Sequence, residues 1–305
     1  MDMKRVGSRY EIGVVALLGS ALLTAISQVF YANRVQGIHP FLFTGISFFV
    51  TSIYFQCFSF RQKVAPQWNR ALKPLVKLNI ASAITFMGFY FALKYIEPAI
   101  VSSLEMGIGP IFILIMLFMQ RKPMLIGQWA IAFGTFLACG VLIWAALAGQ
   151  SCVGMQLSSE MVLGVIASIL CGAGAVLCTV YSKQLSEIGW TSSMILAKRF
   201  IGIVIISFIF TFDLVIPYFK DNIVWILLVT VVGVMLPMYL LQKGIQYTNT
   251  FLVMMSLSFV PVFTFAIQLL DARIQFSALT FLGVILLFIC GASSIFIENR
   301  KNGPY

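Results

Sequence analysis

Glu105 is the residue of this sequence with the most chemistry to offer. It sits near the middle of PAIVSSLEMGIGPIFILIMLFM, Pro98–Met119, a run long enough to cross a bilayer at about 20 residues per span. An ionised carboxylate at that depth costs about 3 kcal/mol on insertion scales, so it is kept with a partner, a proton or a cavity. At helical spacing Pro98, Ser102, Glu105, Gly109 and Phe112 share one face, and Pro110 removes a backbone donor just beyond the acid. The stripe is small, polar and bent, which suits a cavity better than lipid. Two chemistries fit. Glu105 is protonated while the cavity is empty and couples to proton movement, or it is ionised and awaits a cationic or amino-bearing solute. The structural alternative is a buried acid bonded to a neighbouring Ser or carbonyl.

Other polar and aromatic residues in apolar runs are candidates for the same pocket. Gln28 and Tyr31 close the first run; an amide there needs partners, and interhelical bonding and a pocket wall are equally open readings of Gln28. Phe86, Phe89 and Tyr90 form a stripe that either packs or contacts an apolar or cationic ligand through ring faces, and Tyr239 follows Pro237 and Met238 in the same sense. Met254, Met255, Ser256 and Ser258 would make an adaptable wall, since Met repacks readily. Tyr181 faces the cavity or anchors at the interface. Lys198 and Arg199 are expected to begin a helix and snorkel to the surface, which leaves no Lys or Arg at the depth of Glu105. Glu97 is assigned to a helix N-terminus, His39 to a loop, and Trp68, Trp190 and Trp225 to interfacial belts.

The elements that must hold these residues are set by composition. Hydrophobic residues make up 60% of the 305 and charged residues 10%, with mean hydropathy +0.99; soluble domains carry about 25% charge. Ten apolar runs are read as transmembrane helices: Ile12–Tyr31, Pro40–Phe60, Pro74–Leu93, Pro98–Met119, Met124–Ala148, Met161–Tyr181, Ser193–Phe212, Ile223–Leu241, Phe251–Leu270 and Phe276–Ile297. Pro40, Pro74 and Pro98 stand where a first turn tolerates proline. The first run follows a basic N-terminus with no cleavage site and is read as retained. Five of the six Cys lie in apolar runs and Cys152 in a loop, without CxxC spacing, which reads as packing rather than disulfides or metal. The net charge of +10 is spread between the runs, as membrane orientation requires and nucleic-acid binding does not.

With a cytoplasmic N-terminus, sixteen of the twenty Lys and Arg fall on the cytoplasmic side and four on the other, a strong positive-inside bias. An even number of helices then returns both termini to the cytoplasm. The chain also repeats itself. Ala16, Ser20 and Thr24 recur as Ala167, Cys171 and Ala175; Pro110 recurs as Pro261 and Cys139 as Cys290, each 151 residues later, and Tyr31 as Tyr181, 150 later. Agreement at nearly one offset marks a duplication. Residues 1–150 and 151–305 are therefore read as two five-helix repeats, and an odd helix number gives them opposite topology, as in secondary transporters. The fold expected is an all-α integral membrane protein of ten transmembrane helices in two inverted repeats.

The stretches ALKYIEPAIVSSLEMGIGPIF and KGIQYTNTFLVMMSLSFVPVF, within two five-helix repeats and with a basic loop after the fourth helix, resemble the EamA-type drug/metabolite transporters. The resemblance implies a central cavity lined by the first, third and fourth helices of each repeat, and small solutes such as amino acids, nucleotide-linked metabolites or choline-like cations as cargo. The sequence departs from the family in carrying Glu105 where relatives have small or apolar residues; the repeat partner is Ser256. The function expected is secondary active transport of a small metabolite (an amino acid, amine or related solute) by alternating access, export before import, with protons as the candidate coupling ion. The alternatives are uptake of a choline-like cation, or a channel or scaffold. No HExxH, GxSxG or phosphate loop occurs, so no enzyme, metal or cofactor is expected. The partners expected are the substrate, the lipid of a cell's inner membrane and, compatibly, a second copy of the chain.

Overall fold

A computed structural model of the chain describes residues 2–35, 37–60, 68–119, 121, 126–152, 158–248, 250–271 and 274–299. Among them there is no strand, and helix forms at every one of the ten apolar runs. The first six helices are α1 (Asp2–Arg34), α2 (Pro40–Phe60), α3 (Trp68–Tyr95), α4 (Pro98–Met119), α5 (Ile126–Leu147) and α6 (Ser159–Glu187). Pro40 and Pro98 open their helices. Pro74 does not: α3 begins six residues earlier and carries it inside, because the polar turn from Trp68 joins the apolar run without a breaker.

In the second half the seventh, eighth and ninth runs are interrupted. The seventh is α7 (Ser192–Lys198) and α8 (Ile201–Thr211), parted at Arg199 and Phe200. The eighth is α9 (Val215–Leu228), a π-turn over Val229–Met235 and α10 (Leu236–Tyr247). Pro237 lacks the N–H that α-helical bonding would use at that point, and the wider turn accommodates it. The ninth is α11 (Thr250–Leu257) and α12 (Phe259–Gln268), parted at Ser258 one turn before Pro261, and α13 (Ala278–Asn299) is the tenth. Among the described residues eight helical stretches are long and apolar enough to cross a membrane, and Phe259–Gln268 and Ala278–Ser293 are shorter apolar helices. The chain is a multi-pass, all-helical membrane protein.

Burial runs opposite to that of a soluble protein. Val15, Ile80, Phe133, Trp144, Ile209 and Phe210 are exposed as lipid requires, while Ser20, Gln28, Ser82, Ser102, Gln242 and Gln268 are buried. Thr44, Thr51, Thr85 and Thr211 bond the carbonyl four residues back, which satisfies a hydroxyl without a neighbour. Trp68 and Trp225 are partly exposed, but Trp190 is buried and meets Trp68 edge-on at 5.2 Å; its place in a lipid-facing belt is not what the structure gives.

The two halves of the chain pack closely on each other. α3 lies along α6 and α1 along α10; α4 packs on α6 and α12 on α1; α2 meets α8 and α5 meets α13. Glycines let α6 sit close to its neighbours. A Cβ on Gly172 would stand 2.6 Å from the Glu105 carbonyl oxygen and 2.9 Å from Ile108 Cβ, and one on Gly174 would strike Thr85. Small residues at such crossings permit backbone approach inside a membrane protein.

Candidate functional site

A cavity of about 80 Å³ opens between the two halves, room for a handful of waters at roughly 10–15 Å³ each. Eight of its lining residues pair at a spacing of 151: Thr24 with Ala175, Phe48 with Arg199, Tyr90 with Leu241, and Met106 with Leu257. The last pair has a backbone reason. Pro110 and Pro261 cannot donate to the carbonyls four residues back, which are those of Met106 and Leu257. Both carbonyls therefore lose their helical donor beside the cavity, where unpaired backbone is tolerated.

Glu105 reaches the cavity from α4 and is partly exposed to it. Its carboxyl lies beside Cys171, a fully buried residue of α6. Phe86, Phe89 and Tyr90 from α3 complete the wall on this side.

Arg199 overturns the expectation of a snorkelling surface pair. It is 3% exposed and lines the same cavity as Glu105. The break between α7 and α8 brings it inward. Asn79 of α3 stabilises that break, donating Nδ2 to the Lys198 carbonyl at 3.0 Å and accepting the Gly202 N–H on Oδ1 at 2.9 Å. These are groups that an uninterrupted helix would have bonded itself. The guanidinium donates Nε to Ser82 Oγ at 3.2 Å, and that hydroxyl also meets Cys178 Sγ at 3.5 Å. Its carbon lies 5.1 Å from the Phe200 ring centroid and 5.7 Å from that of Phe86. Phe48 and Phe200 are 4.5 Å apart, Phe48 and Phe86 4.7 Å, so the cation rests on a cluster of three rings, a favourable arrangement where water is scarce. Among the described residues no carboxylate pairs with it.

Comparison with known proteins finds a likeness in the first half. Residues 11–145 match the EamA-like transporter family. No curated protein matches the chain. A solved structure described as "Crystal structure of protein" superposes with a TM-score of 0.58 at 16% identity, covering 97% of this chain and 99% of that one, which shows a shared fold over both halves. The EamA-like segment runs from α1 into α5 and contributes Glu105 and the ring wall; Arg199 lies outside it.

The other candidate residues of the EamA-like segment are placed deeper in the packing. Gln28 is buried; its Oε1 accepts from Thr264 at 3.2 Å while its Nε2 has no bonded partner among the described residues. Tyr31 is fully buried between Phe43 at 4.8 Å and Tyr90 at 4.9 Å. Ser102 donates to the Pro98 carbonyl at 2.9 Å. In the second half Tyr181 lies under Lys77 at 5.5 Å, Tyr239 stacks on Phe55 at 5.7 Å, and Ser256 is buried. None of these six lines the cavity. The side chains of Met254 and Met255 lie outside the described residues.

A second polar cluster, absent from the candidates, closes the end of the molecule where α3 meets α4. Glu97 is buried and accepts the Cys152 N–H. Gln268 accepts the Ala99 N–H at 3.1 Å and donates to Cys152 Sγ at 3.5 Å. Glu97 is thus more than a helix-end charge. Burial raises its carboxyl above the usual range against the hydrogen bonds that lower it, and burial beside Glu97 pushes the Cys152 thiol up to about 12.

Proposed function

We propose that this protein is a secondary active transporter that carries a small metabolite by alternating access, built from two inverted five-helix repeats, residues 1–150 and 151–305. The observation that carries the reading is the cavity wall whose residues pair at an offset of 151. Two copies inserted with opposite topology are related by an axis in the membrane plane, and the site on that axis faces either side when the halves rock. The helix packing supports the same axis, since exchanging the halves turns the α3–α6 contact into α10–α1 and the α4–α6 contact into α12–α1. The EamA-like match points to the same class.

In a carrier of this kind, opening and closing of the cavity accompany binding. Glu105 is the coupling residue of this reading: it takes a proton or meets an amino group in turn. The residues at hand for contact are Phe86, Phe89 and Tyr90, with Gln28, Tyr31, Ser102, Tyr181, Tyr239 and Ser256 within or behind the moving walls. The bias of basic residues supports an orientation with both termini in the cytoplasm, and the inner membrane of a cell and export are the location and direction proposed. Counterflow in proteoliposomes tests the class: a carrier accelerates exchange of labelled for unlabelled solute, whereas a channel or scaffold shows none.

A further inference from the structure

A guanidinium deep in a membrane protein is expensive unless something answers its charge, and such residues face cavities that carry function. Arg199 has a hydroxyl, a thiol and two rings around it but, among the described residues, no carboxylate. With Nε committed to Ser82, its other donors are left for the cavity it lines. A planar guanidinium fork matches an oxyanion with two acceptor oxygens. Glu105, in the same cavity, is of opposite sign and does not form an ion pair with it.

Helix α6 measures their separation. Cys171 lies beside Glu105, and Cys178 and Arg199 both meet Ser82 Oγ. Seven residues apart, the two cysteines share one helix face about 10 Å apart along the axis. The cavity wall therefore carries a negative pole and a positive pole one short molecule apart. We infer that the cavity is a two-pole site for an amphoteric solute, whose ammonium end meets Glu105 and whose oxyanion end, a carboxylate or a phosphate, meets Arg199. A purely cationic solute of the choline kind would leave the arginine unanswered. The inference rests on the carrier reading only in calling the bound solute cargo. The pole itself is not duplicated: the repeat partner of Arg199 is Phe48 and that of Glu105 is Ser256, so the amphoteric solute has one orientation in an otherwise paired wall.

Thermal unfolding of the purified full-length protein tests this with γ-aminobutyrate, ε-aminocaproate and phosphoethanolamine as amphoteric probes, and butylamine, butyrate and γ-aminobutyramide as controls. A ligand of the folded state raises the melting temperature. The amphoteric probes are expected to bind at least about tenfold better than the amide or the amine, the ratio expected of a charge-assisted hydrogen bond. Phosphoethanolamine against γ-aminobutyrate separates the phosphate from the carboxylate. Arg199→Gln should erase the preference for γ-aminobutyrate over its amide, Arg199→Lys should keep part of it, and Glu105→Gln should erase the preference for γ-aminobutyrate over butyrate. Equal binding of γ-aminobutyrate and its amide by the wild-type protein overturns the two-pole site without any variant, as does the absence of a shift with every amphoteric probe. Counterflow separates the two ideas. Amphoteric binding without exchange rejects transport and leaves the site standing; exchange of γ-aminobutyrate no faster than that of its amide, and unaltered by Arg199→Gln, rejects the site and leaves transport.

Discussion

Arg199 and Phe48 stand 151 residues apart, line one cavity, and are joined through the Phe200 ring, which lies 4.5 Å from Phe48 and 5.1 Å from the guanidinium carbon. Positions 151 apart thus carry an aromatic ring in one half of the chain and a cation in the other. The aromatic member supports the cation. That difference, with Glu105 standing opposite Ser256 at the same spacing, makes the wall electrostatically one-sided.

Glu105→Gln keeps the size of the side chain and removes its titration. Uptake or efflux measured against an imposed pH gradient should lose its proton dependence in this variant, while the melting temperature stays within a few degrees. Glu105→Asp should retain part of the transport, since the charge survives with a shorter reach. A Gln variant that transports at the wild-type rate with unchanged pH dependence assigns Glu105 to packing.

The α4–α6 crossing depends on Gly172. Gly172→Ala places a methyl against the Glu105 carbonyl oxygen and Ile108, where the backbone cannot give way as a flexible side chain would. A loss of about 1–3 kcal/mol is expected from overpacking, read as a lowered melting temperature in detergent. Gly140→Ala, with nothing within 4 Å of the added carbon, is the control and should be neutral or slightly stabilising.

Asn79→Leu should destabilise the inward turn that carries Arg199. It removes the partners of the Lys198 carbonyl and the Gly202 amide, at a cost of about 1–3 kcal/mol for buried groups left unbonded. Because the turn positions the guanidinium, affinity for the amphoteric probes should fall as well. A variant with lowered stability and unchanged binding would separate the turn from the site.

The Glu97 cluster makes stability depend on pH. Its carboxyl is raised in the folded state from an ordinary 4.5, so folding favours the protonated form. The stabilisation is complete below that ordinary value and fades as pH rises through the folded one. Relative to Glu97→Gln, the wild-type protein should lose melting temperature steadily on going upward from pH 4.5. A difference between the two that does not change with pH would show that the carboxyl is not titrating.

Cys152 should resist membrane-impermeant maleimide at neutral pH, because its thiol is buried and held well above the usual range. A cysteine introduced at the exposed Gln150 two residues away should react from the outside, and one at the exposed Arg121 only from the cytoplasm, in a background with Cys57 replaced. Reaction at Arg121 from the outside would reverse the proposed orientation.

The sequence by itself determined where helix forms, because runs of apolar residues some twenty long have no other way to satisfy their backbone in lipid. It also held the offset of 151 that the cavity wall follows, since Pro110 and Pro261 act on their own helices and need no neighbour to do so. Gln28, Tyr31 and Ser102 looked equally eligible for the site, and the fold buried them behind it, because polarity along one helix does not say which neighbour covers it. The place of Arg199 was beyond reach for the same reason. Read along the chain, Lys198 and Arg199 are a basic pair at the start of an apolar run, which is how a surface anchor looks. Only the tertiary structure interrupts that helix, hands its freed carbonyl and amide to Asn79 some 120 residues earlier, and sets the guanidinium on Phe200 and on Phe86 of α3. Long-range hydrogen bonds and ring packing set that geometry, and no spacing along the chain encodes them.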